Sequence, residues 1–206
     1  MKDQLMRSEK LLAEMKERRS VRSFSLEPIP RQVIENCIAI AGLAPSGANM
    51  QPWTFVLVED KKKKEQIRRQ AEEIEKQFYE NKISEEQKGR LAPLKVNWQK
   101  AFITEARHLI CVFIQNHGVD KNGNIIKHYF PRESVGIAVG FLICALHQSG
   151  IATLPYTPSP MTFLSELLAR PSNEKPFMIL AAGYKSEAFS PPDITKKELD
   201  DIMQVI

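Results

Sequence analysis

Glycine and cysteine are scarce in this 206-residue chain, which has nine of the first and three of the second. No G-x-G-x-x-G segment occurs, so a resident dinucleotide cradle of the Rossmann kind is excluded. Cys37, Cys111 and Cys144 are odd in number, lie in apolar surroundings and stand at no metal-ligand spacing. They exclude a disulfide framework and are expected to be buried, reduced thiols. His117, His128 and His147 form no metal pair either, so structural or surface roles and no metal are expected. Long apolar runs are missing too: the longest, Val135 to Leu146, is too short for a membrane span, and no signal-peptide core is present. Charge of one sign is not concentrated, with 29 basic and 25 acidic residues interspersed for a net +4, which excludes a nucleic-acid groove. The Lys61 to Lys64 tract reads as the solvated start of a helix. These absences leave one cytoplasmic, membrane-free domain spanning 1–206, with no internal repeat and no low-complexity linker.

The remaining pattern is α+β. Residues 1–17 are charged and helical, with Leu5, Leu12 and Met15 near one stripe. Val33, Ile34, Cys37, Ile38 and Ala41 recur at helical spacing over 30–43, and Gly42 is a stop signal. Trp53 to Glu59 and His108 to Gln115 read as strands, and Val119 to Gly123 as a turn. Residues 62–81 form a charged helix with a narrow apolar stripe, Ile67, Ala71, Ile74 and Phe78, and shorter helical pieces broken near Pro93 fill 85–104. Residues 132–149 are apolar on nearly every side, which predicts a helix buried in the core or against a second subunit. Ile151 to Leu154 and Phe177 to Tyr184 complete the sheet, and Ser190-Pro191-Pro192-Asp193 marks the start of a C-terminal arm, 190–206.

Two stretches carry most of the chemistry. In an extended segment Arg18, Ser20 and Arg22 share a face, offering two fixed cations and a hydroxyl to a phosphate or an electron-rich ring. Ala44-Pro45-Ser46-Gly47-Ala48-Asn49-Met50-Gln51-Pro52-Trp53 puts small residues and backbone N–H groups before an apolar strand, where a flat ligand can approach the main chain. Together they read as two halves of one anionic-cofactor site, against the plainer reading of a charged helix end and a proline-rich turn. Glu75 and Tyr79, four apart, share a helix face. With Lys100 they bring a carboxylate, a phenol and an ammonium that can bind a zwitterion, although composition alone makes Glu75 an ordinary solvated residue.

These same residues resemble the nitroreductase superfamily of FMN flavoproteins and, within it, the iodotyrosine deiodinase branch. The likeness begins with Arg18-Arg19-Ser20-Val21-Arg22-Ser23-Phe24 and Ala44 to Trp53. It continues through Ile74-Glu75 to Tyr79, Asn97-Trp98-Gln99-Lys100, His128-Tyr129, Thr157-Pro158, Arg170-Pro171, Glu174-Lys175 and Gly183-Tyr184, in order and with closely matching spacing. The resemblance implies a nitroreductase-like fold with a central mixed sheet flanked by helices. It further implies a domain-swapped homodimer whose C-terminal arm crosses to the partner, and FMN in the dimer interface.

For individual residues the resemblance assigns the FMN phosphate to Arg18, Arg19 and Ser20, and the pyrimidine edge to Arg22. A further phosphate contact falls to Lys196, with Lys197 one position away, where the branch usually has arginine. Ser46, Gly47, Asn49, Pro155, Tyr156 and Thr157 complete the flavin contacts, Thr157 through a hydrogen bond to N5 that opens one-electron steps. Pro155 and Tyr156 depart from the hydroxyl-rich pattern of the animal enzymes, and Pro155 has no N–H to donate. Glu75 then takes the α-ammonium of a tyrosine derivative, Lys100 its α-carboxylate, Tyr79 a supporting contact, and the Ala48 N–H the phenolate. Residues 62–100 act as a substrate lid, expected to be mobile when empty and ordered by ligand. The animal members carry a membrane anchor ahead of the catalytic domain, and this chain is expected to be soluble without one. The implied activity is FMN-dependent dehalogenation of halogenated tyrosines, with electrons from NAD(P)H or a separate reductase. Asn49 and Gln51 are closer to ordinary nitroreductases. A general nitroreductase or quinone reductase, or a flavin protein that binds a tyrosine-like ligand without turnover, are the alternatives.

Overall fold

The computed structural model describes residues 2–206. Four strands form the central sheet: β1 (Trp53–Val58), β2 (His108–Gln115), β5 (Ala152–Tyr156) and β6 (Glu174–Gly183), in the order β1-β2-β6-β5. Every pairing among them is antiparallel. The mixed character expected of the sheet is confined to one parallel bridge, Ser20 to Thr153, at its β5 edge. A separate hairpin joins β3 (His117–Val119) to β4 (Ile125–Lys127), and Asp120 closes it by accepting from the amides of Asn122 and Asn124, each at 2.8 Å.

The inner strand β2 is buried along nearly its whole length, because both faces of the sheet are covered. One face carries α3 (Lys61–Asn81), α5 (Phe102–Glu105) and α7 (Phe163–Leu167), packed through Ile67, Ala71, Phe102, Ile103 and Leu164 onto Leu109, Cys111, Phe113 and Ile179. The other carries α2 (Arg31–Gly42) and α6 (Pro131–Gln148), with Ile34, Cys37, Val135, Leu142 and Leu146 against Ile110, Val112 and Leu180. Alternation along β2 therefore feeds two cores, as the period of two requires. Buried Glu174 is satisfied within the fold by Arg170 Nε at 2.7 Å and the Thr54 hydroxyl at 2.6 Å.

Of the two alternatives for the helix over 132–149, full burial in the core of one chain does not hold: Gly136, Ile137, Gly140 and Phe141 form an open face, and Cys144 lies exposed on it. Two further expectations are corrected. The Cys144 thiol is therefore not buried, whereas Cys37 and Cys111 are, and burial pushes the Cys111 thiol up to about 12. The lysine tract is also divided. Lys61, Lys62 and Lys63 are solvated, but Lys64 is only 6% exposed and its Nζ donates to the carbonyls of Ala106 and Arg107 at 2.8 and 2.7 Å.

Lys64 thus ties α3 to the strand-entry loop and stands at the first turn of a helix capped by Asp60, which accepts from Lys63 N at 2.8 Å. The helix α1 (Lys2–Glu17) has no buried residue and touches the body through Glu14, whose carbonyl accepts from His147 Nε2 at 2.7 Å. Beyond β6 the arm over 190–206 is exposed apart from half-buried Pro192, with apolar Leu199, Ile202 and Val205 uncovered.

Burial lowers the Lys64 ammonium from 10.5 to about 8. Between those values the unfolded chain binds more protons, so stability rises with pH across this window, by at most about 3 kcal/mol. Urea unfolding of the parent protein and of Lys64→Met at pH 7.5 to 10.5 checks this. The parent is expected to gain relative to the variant as pH rises, and a constant difference would contradict it.

Candidate active site

Arg18 to Arg22 run as an extended strip beside β5, held by the amide of Val21 donating to the Thr153 carbonyl at 3.0 Å. A small cavity here is lined by Arg18, Arg19, Ser20, Arg22, Pro192, Ile194 and Lys196. No carboxylate lines it, and none of its three arginines is in an ion pair among the described residues. Burial lowers the Arg22 guanidinium from its ordinary value. Four cations converging without a counter-charge make an anion site. The C-terminal arm contributes Lys196 to it, and Lys197 is not among the lining residues.

Ser46 to Gln51 lie across the sheet, before β1 and against the start of α6. Gly47 must be glycine, because a Cβ would meet the Tyr129 carbonyl oxygen at 2.8 Å. Ala48, Asn49 and Gln51 all adopt positive φ, at 49°, 54° and 49°, a strained run of the kind found at ligand-contacting loops. The amides around it are engaged: Gly47 donates to the Ser134 hydroxyl, Asn49 to Ser46 O, Met50 to Gly47 O and Gln51 to the Ser46 hydroxyl. The Ala48 N–H has no acceptor among the described residues. It is a fixed, free donor, while the Asn49 and Gln51 side chains are exposed.

Glu75, Tyr79 and Lys100 do meet. Glu75 Oε2 and Lys100 Nζ form an ion pair at 3.1 Å, with side chains 18% and 8% exposed. Lys100 Nζ also donates to the Asn97 carbonyl and lies 5.7 Å from the Tyr79 ring centroid. Its main chain is pinned as well, since the Lys100 amide donates at 2.8 Å to Glu72, which also takes Arg68 Nε at 2.7 Å. Burial pulls the Lys100 ammonium below its ordinary value, and Glu75 is the chief opposing influence. Burial, then Glu75, raises the Tyr79 phenol.

Two members of this cluster lie outside the trio read from the sequence. Tyr156, assigned to the flavin by resemblance, donates its hydroxyl to Glu75 Oε1 at 3.1 Å and stacks edge-on with Phe102. Glu72 was legible only as another charged helix residue. Buried His108 is a third omission, with Nδ1 3.5 Å from Glu59 and neither ring nitrogen hydrogen-bonded.

Arg18–Arg22 and Thr157 belong to the β5 edge and Ser46–Asn49 to the β1 edge, so three inter-strand steps, about 14 Å, separate the two halves. Within one chain the two stretches therefore stand apart.

A chain with this antiparallel α+β layering, a cationic strip at one sheet edge and a glycine-pinned loop at the other belongs to the Nitroreductase family, whose sequence profile matches residues 15–184. Within that family it is 45% identical over 191 residues to an iodotyrosine deiodinase of Haliscomenobacter hydrossis, covering 93% of this chain and 86% of that protein. It is 40% identical over 208 residues to the human iodotyrosine deiodinase 1, covering 100% of this chain and 71% of that one. The fold superposes on a crystal structure of oxidized iodotyrosine deiodinase bound to FMN and 3-iodo-L-tyrosine with a TM-score of 0.81 and 34% identity, covering 92% of this chain and 97% of that one. No helix of the described residues is long and apolar enough to cross a membrane.

Because Glu75 opposes the effect of burial on Lys100, Glu75→Gln is expected to lower the Lys100 titration midpoint further in the ligand-free protein. Lysine side-chain NMR titration reads this directly, and an unchanged midpoint would show that the pair does not hold the charge.

Proposed function

We propose that the protein is an FMN-dependent reductive dehalogenase of halogenated tyrosines. The observation that carries this reading is the buried Glu75–Lys100 pair, whose two charges match the two ends of an α-amino acid. A zwitterion entering between them offers its ammonium to Glu75 and its carboxylate to Lys100, so each buried charge exchanges one partner for another and neither is left bare. Tyr79, beside Lys100, walls that carboxylate. Similarity to proteins named iodotyrosine deiodinase supports the same substrate class.

The residues present fit FMN. Arg18, Arg19 and Lys196, which line one cavity, would hold the phosphate, Ser20 would add a donor, and Arg22 would neutralise charge at the pyrimidine edge. Thr157, exposed directly after β5, would supply a hydroxyl to the flavin. FMN bound there supplies the two electrons of the reduction, which originate in NAD(P)H or a separate reductase. With one proton taken up, the carbon–halogen bond breaks, a carbon–hydrogen bond forms, and halide leaves with the bonding pair. The free Ala48 N–H stabilises the substrate phenolate.

That last role requires a second copy of the chain, because Ala48 and Thr157 lie at opposite sheet edges. A homodimer brings the loop of one protomer to the strip of the other. It also covers the open Ile137–Phe141 face of α6, the apolar side chains Leu5, Met6, Leu11 and Leu12 of α1, and those of the arm. Uncovered apolar surface on this scale is the mark of an interface.

Anaerobic titration of the reduced, FMN-loaded protein with a halotyrosine tests the reading. Flavin reoxidation with stoichiometric tyrosine and halide is expected, and binding without reoxidation would leave a non-catalytic flavin protein. Glu75→Gln and Lys100→Gln are each expected to raise the halotyrosine KM at least about thirtyfold, since each strands a buried charge, and to leave nitroaromatic reduction within a few-fold. Equal loss of both activities would point to a general reductase.

The cofactor half is checked separately. Lys196→Ala is expected to weaken FMN binding about tenfold, as loss of a charged hydrogen bond does, and Lys197→Ala less than twofold. Flavin fluorescence titration distinguishes them, and equal effects would count against the assignment of Lys196.

A further inference from the structure

Tyr156 ends β5 immediately before Thr157, yet its side chain belongs to the substrate cluster. Its hydroxyl donates to Glu75 Oε1 at 3.1 Å, across 81 positions of sequence. Its ring is fixed by Phe102, edge-to-face at a centroid distance of 5.3 Å. Lys100 Nζ lies 5.7 Å from the centroids of both Tyr156 and Tyr79. Glu75 therefore has two oxygens with different partners, Tyr156 on Oε1 and Lys100 on Oε2.

The two partners differ in what they can do when a ligand arrives. Lys100 is a charge that an incoming carboxylate attracts, so Oε2 is the oxygen released. Tyr156 is neutral, tied to a sheet strand and packed by Phe102, so nothing in a zwitterion draws it away. Burial, followed by the Glu75 charge, raises the Tyr156 phenol, which keeps it protonated and donating at physiological pH.

We propose that Tyr156 is a positioning residue for substrate recognition: by holding Glu75 Oε1 it aims Oε2 at the α-ammonium that replaces Lys100. The inference rests on the halotyrosine reading above and deepens it. It also gives the departure from the hydroxyl-rich pattern at this position a physical role, because a shorter side chain on β5 would not span to α3. Since Tyr156 adjoins Thr157, the grip on the amino acid and the contact with the flavin share one strand.

Without the phenol hydroxyl, the Glu75 side chain has rotamers to lose when it binds ligand. Immobilising one such side chain corresponds to roughly fivefold in affinity. The test is a double-mutant cycle on FMN-loaded protein, with halotyrosine Kd read from flavin fluorescence, using the parent, Tyr156→Phe, Glu75→Gln and the double variant. Phenylalanine keeps the ring and its packing on Phe102. Tyr156→Phe is expected to raise the Kd about fivefold and to act on KM more than on kcat. In the Glu75→Gln background the same change is expected to alter Kd by less than twofold. An unchanged Kd in Tyr156→Phe, or an equal factor in both backgrounds, overturns the inference while leaving the functional reading intact. A parent protein that binds no halotyrosine overturns both.

Discussion

An ammonium with 8% of its surface exposed organises this molecule's substrate side. A buried charge is tolerated only when it is paired and hydrogen-bonded, and Lys100 has each kind of support. Glu75 supplies the opposite charge, Asn97 a carbonyl, two aromatic faces a diffuse negative field, and Glu72 holds the backbone from which the side chain projects. Remove any of these and the chain loses part of what offsets desolvation. The helix α3, the loop over 95–100 and the end of β5 are thereby tied together through polar contacts around a single cation. Such contacts can be exchanged for equivalent ones, whereas a packed apolar interface cannot. A site built this way can exchange its internal pair for a ligand that carries the same two charges.

The cofactor side follows a different constraint, that of an open sheet. Its two edges cannot approach one another within a chain, because β2 and β6 lie between β1 and β5. Sequence proximity is no guide here: Arg22 and Ser46 are 24 positions apart, yet the intervening α2 carries the chain from one edge to the other. A cavity of arginines and a lysine at one edge, and a free amide in a strained loop at the other, are each incomplete. A second copy related by a two-fold axis would complete both sites at once, since the same pair of surfaces is presented by each protomer. The open face of α6 gives that association apolar area to bury.

Legibility in the sequence divides along physical lines. Helices and strands were readable because burial imposes periods of 3.6 and two on apolar residues, and α2, α3, β1 and β2 fall within a residue or two of where those periods place them. Glu75, Tyr79 and Lys100 were legible as a set only through resemblance, since a charged helix residue is ordinarily solvated. Lys64 and Cys144 were misread for a shared reason: composition reports the chemistry of a residue and not the side from which its neighbours approach. Lys64 is buried by carbonyls at the end of α5, a long-range contact. Cys144 lies in an apolar helix whose outer face nothing in the same chain covers. Tyr156 was legible only as a flavin contact by resemblance, because its hydroxyl reaches Glu75 across 81 positions of sequence.

That contact bears on how recognition and chemistry are joined. Tyr156 and Thr157 are adjacent, but the Tyr156 hydroxyl is committed to Glu75. Tyr156 meets Glu75 on the α3 face, and the residue after it stands at the open end of the strand, where it is exposed. Selectivity follows from the arithmetic of buried charge. A halogenated phenol lacking the amino-acid portion would leave the Glu75–Lys100 pair closed and gain nothing from it. An amine or an acid alone would separate the pair and satisfy only one member, leaving the other buried and unpaired. Only a ligand with both charges at amino-acid spacing repays the opening of the pair, and rejecting the others needs no steric barrier.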